Sequence, residues 1–202
     1  MVGSFERIKR PFYEREPLRV TKELLGKYIV KETESEKLVG KIVETEAYIG
    51  PYDKGSHTYN NKRTKRTEVQ YRERGLAYIF TIYGKNVCFC IVIGRKYVPA
   101  VALIRAVEPI SGIELMKKNR KIDNIKNLTN GPSKFCQAFG ITKKDYGTDL
   151  CTSSVLYLTK GEPIKSSEIA RSKRINIDYA EEWKDKEWRF YIKNNEFVSW
   201  NK

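Results

Sequence analysis

The 202-residue chain reads as one α+β domain spanning residues 1–202, a curved and mainly antiparallel sheet with flanking short helices and a protruding β-hairpin. Three observations predict this. Apolar runs rich in Val, Ile and Thr outnumber helical patterns, two of those runs meet across a short glycine-containing turn, and no Pro/Gly/Ser linker or internal repeat divides the chain.

The elements follow in order. Pro17 to Leu25 has a proline at its start and Gly26 after its end, which predicts a short helix with Leu18, Leu24 and Leu25 toward a core. Strands are expected over Lys27 to Lys31 and Leu38 to Ile49. Tyr59 to Gly75 is polar and basic, so a surface loop or a partly helical excursion is expected. Leu76 to Ile82 and Val87 to Ile93 pair across Tyr83-Gly84-Lys85-Asn86 as the hairpin. Tyr97 to Val107 is apolar on both faces except for Arg105, the pattern of a central strand. Ser111-Gly-Ile-Glu114 predicts a capping box before a helix over Leu115 to Arg120, and Pro132 to Phe139 predicts a second helix closed by Gly140.

Composition narrows the chemistry. Lys and Arg number 39 against 25 Asp and Glu, a formal charge of +14 that points to a polyanionic partner. No apolar run approaches the ~18 residues of a spanning helix, and Met1 to Arg10 lacks an apolar signal core. A soluble cytoplasmic protein is expected, with no membrane partner. It would be nucleoid-associated in a bacterium or nuclear in a eukaryote. The four cysteines, Cys88, Cys90, Cys136 and Cys151, are too few and too scattered for a disulfide framework, so buried reduced thiols are expected. His57 is the only histidine and Cys88-x-Cys90 lacks a second pair at zinc spacing, which argues against a metal centre.

Several residues could carry chemistry. The two-residue period of Ile42-Val-Glu-Thr-Glu-Ala-Tyr48 puts Glu44, Glu46 and Tyr48 on one strand face. One carboxylate could then act as a general base beside a ring that holds a planar ligand, or the face could be the solvated side of an edge strand. Glu44, Glu46 and Asp53 could instead hold magnesium for phosphodiester cleavage. Lys54, Lys62, Arg63, Lys65, Arg66, Arg72 and Arg74, interleaved with His57, Tyr59 and Tyr71, could grip a phosphate backbone or form a solvated face. Tyr83 at the hairpin tip could wedge between bases or pack its own turn. Arg105 on an apolar strand needs an anion, either Glu44 or a bound phosphate.

Gly40-Lys-Ile-Val-Glu-Thr-Glu-Ala-Tyr-Ile-Gly50, Asp53 with His57, Leu76 to Gly84, Ile104-Arg-Ala-Val-Glu-Pro109, Asn130 to Ala138 and Arg174-Ile-Asn-Ile-Asp-Tyr-Ala180 with Trp183 and Trp188-Arg-Phe190 run in order along the chain. In that arrangement the sequence resembles the alkyladenine (3-methyladenine) DNA glycosylase family. The resemblance implies a monomer that needs no cofactor, metal or obligate protein partner and acts on double-stranded DNA containing damaged purines. It implies that Glu46 activates the attacking water, with Arg105 and the Ile175 backbone holding that water. Tyr48, His57, Phe80 and Cys90 would line the base pocket, Tyr83 would fill the gap in the duplex, and Lys62, Arg63, Lys65, Arg66 and Lys85 would contact the DNA backbone.

The same resemblance marks departures. Phe80 stands where vertebrate members carry a tyrosine, Cys90 where they carry an asparagine that excludes guanine, and Asn176 and Glu181 where glycines are usual. Alternatives from other classes are the magnesium nuclease and a catalytically silent DNA-binding module.

Overall fold

A computed structural model describes residues 6–82, 84 and 86–199. A single turn, α1 (Arg10–Tyr13), precedes α2 (Pro17–Glu23). Proline suits the first turn of α2 because it has no N–H to satisfy, and the Glu16 carboxylate caps it by accepting from the Leu18 and Arg19 amides at 3.0 and 2.6 Å. Strands β1 (Tyr28–Glu32) and β2 (Lys37–Ile49), the hairpin β3 (Ala77–Ile82) and β4 (Asn86–Ile93), and β5 (Ala100–Ser111) follow. Then come α3 (Ile113–Arg120), α4 (Pro132–Ala138), and three short strands, β6 (Leu156–Thr159), β7 (Ile169–Ser172) and β8 (Arg189–Ile192).

The strands form one antiparallel sheet in the order β3-β4-β5-β2-β1-β6. β2 is long enough to change neighbours along one side. Lys37 to Lys41 pair with β1, and Glu44 to Glu46 pair with β8, which also pairs with β7. The expected edge-strand face at Glu44 is therefore corrected: β2 is interior and Glu44 to Ala47 are fully buried. The apolar β5 is central, between β4 and β2, as its composition predicts.

Alternation along the strands divides the interior. Ile79, Phe89, Ile91, Ala102 and Ile104 face the helices with Leu24, Phe135 and Phe139, while Tyr78, Cys88, Cys90, Val101 and Leu103 face the other way with Tyr48 and Phe80. The second layer is the one that lines the site. All four cysteines are free thiols, three of them buried. No helix among the described residues is long and apolar enough to cross a membrane.

Three expectations are corrected. β5 begins at Ala100 rather than Tyr97, because the Val98 amide closes a turn onto the Arg95 carbonyl and puts Tyr97 at φ +66°, exposed. The Ser111 capping box does not form: Ser111 still pairs with Val39 in the sheet. Gly112 at φ +77° caps α3 instead, packed so close to Leu38 that a Cβ there would lie 2.3 Å from a methyl. The basic excursion is not all surface. Within it lie two 3₁₀ turns, Tyr59–Asn61 and Glu68–Tyr71, and Arg74 is buried with its Nη1 donating to the Gln70 carbonyl at 2.9 Å.

Candidate active site

The register between β2 and β5 slips where the charges sit. Ile42 opposes Val107, Glu44 opposes Ala106 and Thr45 opposes Ile104, so Val43 and Arg105 are each skipped. Bulges of this kind re-aim side chains. Here Arg105 spans both carboxylates, donating from Nε to Glu44 at 2.9 Å and from Nη1 to Glu46 at 3.3 Å. Arg189, opposite Glu46 on β8, donates to Glu44 at 2.7 Å, and the Ser199 amide donates to its second oxygen at 2.6 Å. Burial alone would raise the Glu44 pKa, but Arg105, Arg189 and Ser199 outweigh it and hold the carboxyl below its usual range. Glu44 is therefore a fixed anion whose work is to hold two arginines.

Glu46 is held differently. Its Oε1 accepts from the Ile175 amide at 2.9 Å, and its Oε2 accepts from the Tyr48 hydroxyl at 2.8 Å and from Arg105. A carboxylate offers about four lone-pair positions, so three donors leave room for a fourth, such as a water. Each of the three donor residues also lines a cavity of about 460 Å³.

That cavity is aromatic. Tyr48 forms one wall, with Arg174 stacked on its ring 4.7 Å from the centroid. His57 meets Phe80 edge-on at 4.7 Å, and Tyr78 stacks on Phe80 at 5.5 Å. Cys90 lies in the same lining, its thiol kept protonated because burial raises its pKa well above the ordinary value. The Arg66 guanidinium lies 5.2 Å from the Phe80 ring centre and donates to His57 Nε2 at 3.1 Å. An arginine can only donate, so Nε2 accepts and the imidazole proton sits on Nδ1, 2.8 Å from the Tyr78 oxygen.

Arg174 joins the two halves of the site. Its side chain and that of Asp53 are fully buried and paired at 2.6 and 2.9 Å, and it also donates to the Ala47 and Trp183 carbonyls. Gly55 packs tightly beside them, since a Cβ there would lie 3.1 Å from Asp53 Oδ1 and 3.2 Å from Arg174 Nη2. Asp53 is thus committed to an arginine, as Glu44 and Glu46 are. No cluster of His, Cys, Asp and Glu suited to a metal occurs among the described residues.

Of the expected backbone contacts, Lys62 and Lys65 are exposed with no ion pair among the described residues. Arg63 is engaged with Glu68 at 2.8 and 2.7 Å, and Arg66, itself exposed, lies against Phe80 and His57, which line the cavity. Tyr83 and Lys85 lie outside the described residues. Gly84 between them is at φ +76° with open space around it, as the hairpin turn requires.

The methylpurine-DNA glycosylase family model matches residues 11–196. This chain belongs to the methylpurine-DNA glycosylase family. A relative from Natranaerobius thermophilus is 48% identical over 192 residues, covering 94% of this chain and 97% of its own. One from Clostridium novyi is 50% identical over 202 residues, covering 96% and 98%, and one from Clostridium perfringens is 48% identical with the same coverage. All three carry the name "Putative 3-methyladenine DNA glycosylase".

Two of the positions at which the resemblance leads glycine to be expected have positive φ. Asn176 sits at φ +59° and Glu181 at φ +49°, ψ −129°, conformations that glycine adopts freely. Asparagine tolerates the left-handed region; Glu181 is the strained one, and Lys54 holds it at 2.6 Å. Sequence reasoning also missed roles for Arg174, Arg189 and Gln70. The signal for the first two was available: an arginine within a motif and another within an aromatic strand both need anions, as Arg105 did.

His57 gives a pH dependence. Burial first, then Arg66 and Lys62, lower its pKa from 6.5 to about 4, so the ring is neutral near pH 7. Between those values the unfolded chain binds a proton that the folded chain refuses, so stability is full above pH 6.5 and is lost as pH falls toward 4. The loss attributable to His57 is expected to approach 3 kcal/mol, roughly 1.4 per pKa unit. Denaturant midpoints measured at pH 5 and 7 should diverge in wild type and converge in His57→Gln; equal divergence in both proteins would contradict the assignment.

Proposed function

We propose that this DNA glycosylase acts as a monomeric single domain, residues 1–202, in the cytoplasm. It flips alkylated or deaminated purines from double-stranded DNA and hydrolyses their N-glycosidic bond. Candidate bases are 3-methyladenine, 7-methylguanine, hypoxanthine and 1,N6-ethenoadenine. The observation that carries the reading is Glu46, a buried carboxylate whose three donors all line one aromatic cavity.

The chemistry follows from that arrangement. Extruding a nucleotide costs a few kcal/mol, offset here by stacking on the face of Tyr48 that Arg174 leaves open, with Tyr83 filling the duplex. As the bond to C1′ breaks, the sugar becomes oxocarbenium-like, and Glu46 stabilises that charge while accepting a proton from the attacking water. Ile175 and Arg105 hold the carboxylate and water in place. Neutral His57 and Phe80 form the opposite wall, so a cationic alkylpurine meets π faces, worth ~0.5–2 kcal/mol, and the Arg105 guanidinium in the same lining is paired with Glu44 and Glu46. Lys62, Arg63, Lys65, Arg66 and Lys85 contact phosphates and supply salt-dependent affinity. No lysine serves as nucleophile, so no lyase step follows.

A duplex with one hypoxanthine tests the reaction class. Free base and an alkali-labile abasic site are expected, with the strand intact before alkali, in the presence of EDTA, and with nothing trapped by borohydride. Strand cuts that EDTA abolishes would instead establish a nuclease.

Cys90 sets a second expectation. A small neutral thiol in place of an asparagine leaves room for the guanine amino group. Wild type is expected to release measurable undamaged guanine, and Cys90→Asn to reduce that release about tenfold with hypoxanthine excision retained, as a clash or lost contact of 1–2 kcal/mol would give. Guanine release unchanged by Cys90→Asn in a base-release assay would remove Cys90 from the discrimination.

A further inference from the structure

Gln70 lies on the 3₁₀ turn Glu68–Tyr71 and contributes to the cavity wall. Its side chain is fully buried, yet neither Oε1 nor Nε2 makes a hydrogen bond of normal geometry among the described residues. The amide lies near enough to the Tyr78 hydroxyl to influence it, but that oxygen is already 2.8 Å from His57 Nδ1. The backbone around Gln70 is fixed: its N–H donates to the Thr67 carbonyl at 2.9 Å, its own carbonyl accepts from Arg74 at 2.9 Å, and Val69 beside it is buried in the apolar layer. A buried amide without partners is destabilising, and a group kept in that state at a cavity wall is explained when a ligand completes it.

We propose that Gln70 reads the hydrogen-bonding edge of the flipped purine and selects bases that present an N–H beside a carbonyl, as hypoxanthine does at N1 and O6. Oε1 accepts from N1–H and Nε2 donates to O6, the complement that one planar amide can supply to another. In 1,N6-ethenoadenine the added ring occupies N1 and N6, this edge has no N–H, and Gln70 stays unpaired. A site built to hydrogen-bond its substrate discriminates against an analogue lacking the group far more strongly than an apolar wall does. This selection rests on the base-flipping reading above.

The test is single-turnover base release from two duplexes, one with hypoxanthine and one with 1,N6-ethenoadenine, by wild type, Gln70→Met and Gln70→Glu. Methionine keeps the volume and removes both polar atoms, and glutamate keeps the shape and removes the donor. Both variants are expected to lose hypoxanthine release at least tenfold, with ethenoadenine release held or raised in Gln70→Met. The thermal midpoint of Gln70→Met should match or exceed wild type, because an unpaired amide has gone. Equal effects on both bases, an unchanged hypoxanthine rate, or a wild-type preference for ethenoadenine would overturn the assignment to Gln70 alone. Release of neither base by wild type, with 3-methyladenine still released, would overturn the selection and leave the base-flipping reading standing; release of none of the four candidate bases would overturn both.

Discussion

Glu46→Gln is expected to lower release of hypoxanthine from duplex DNA by 10²- to 10⁴-fold, the range for losing a positioned general base. The substitution keeps the shape and removes the charge. An amide cannot take a proton from water, and it offers no negative charge to the cationic sugar. It also turns one acceptor into a donor in a place where the Ile175 amide, the Tyr48 hydroxyl and Arg105 all donate. Some stability is therefore lost, on the order of 1–3 kcal/mol for a mismatched buried group, and a thermal melt on the same preparation separates that loss from the catalytic one. Binding to the lesion duplex should survive, because the phosphate contacts and stacking walls are untouched. A folded Glu46→Gln protein that releases base within tenfold of wild type would remove Glu46 from the mechanism.

Asp53→Ala is expected to cost the most stability. Arg174 would remain fully buried with its carboxylate gone, and breaking a buried pair from one side costs about 3–5 kcal/mol, whatever the net worth of the intact pair. For a chain of this size that is a fall of roughly 6–20 °C in thermal midpoint. Activity should fall as well at temperatures where the variant is folded, since Arg174 backs the Tyr48 ring and precedes the Ile175 amide that holds Glu46. Asp53→Asn, which can still accept from the guanidinium, should recover part of both losses. Thermal melts and single-turnover rates on the two variants decide the matter; a shift of less than about 3 °C for Asp53→Ala would show that Arg174 finds other partners.

The parts of this fold that depend on local pattern were legible in the sequence. The apolar run at Ala100 to Val107 declares a central strand because both of its faces are packed, and Gly84 declares the hairpin because the turn needs a positive φ. The Glu44, Glu46 and Tyr48 spacing was readable for the same reason, although its burial was not: period two says which side chains share a face, and the neighbour on β2's open side is β8, supplied from the far end of the chain. β6, β7 and β8 are four residues each and too short to show a period against a polar background. Ser111 failed as a cap because strand pairing and the packing of Leu38 on Gly112 took precedence over a local side-chain bond.

The site shows the same division. Arg105 was marked by sequence as a charge that needs an anion, and the structure supplies two, Glu44 and Glu46, where one was expected. Gln70 was invisible because its importance lies in what surrounds it, and Arg174 and Arg189 could be marked as charges that need anions but not matched to their partners. Asp53 is far from Arg174 in the chain, and no run of residues near either announces that both are dry.

The central claim is that a damaged purine leaves the duplex and enters the cavity beside Glu46. The crystal structure of Glu46→Gln bound to a duplex with one hypoxanthine tests it most directly. The account requires the base between Tyr48 and the His57–Phe80 wall, with its C1′ against residue 46 and Tyr83 in the vacated stack. A hypoxanthine still stacked in the helix, or bound away from that cavity, would contradict it.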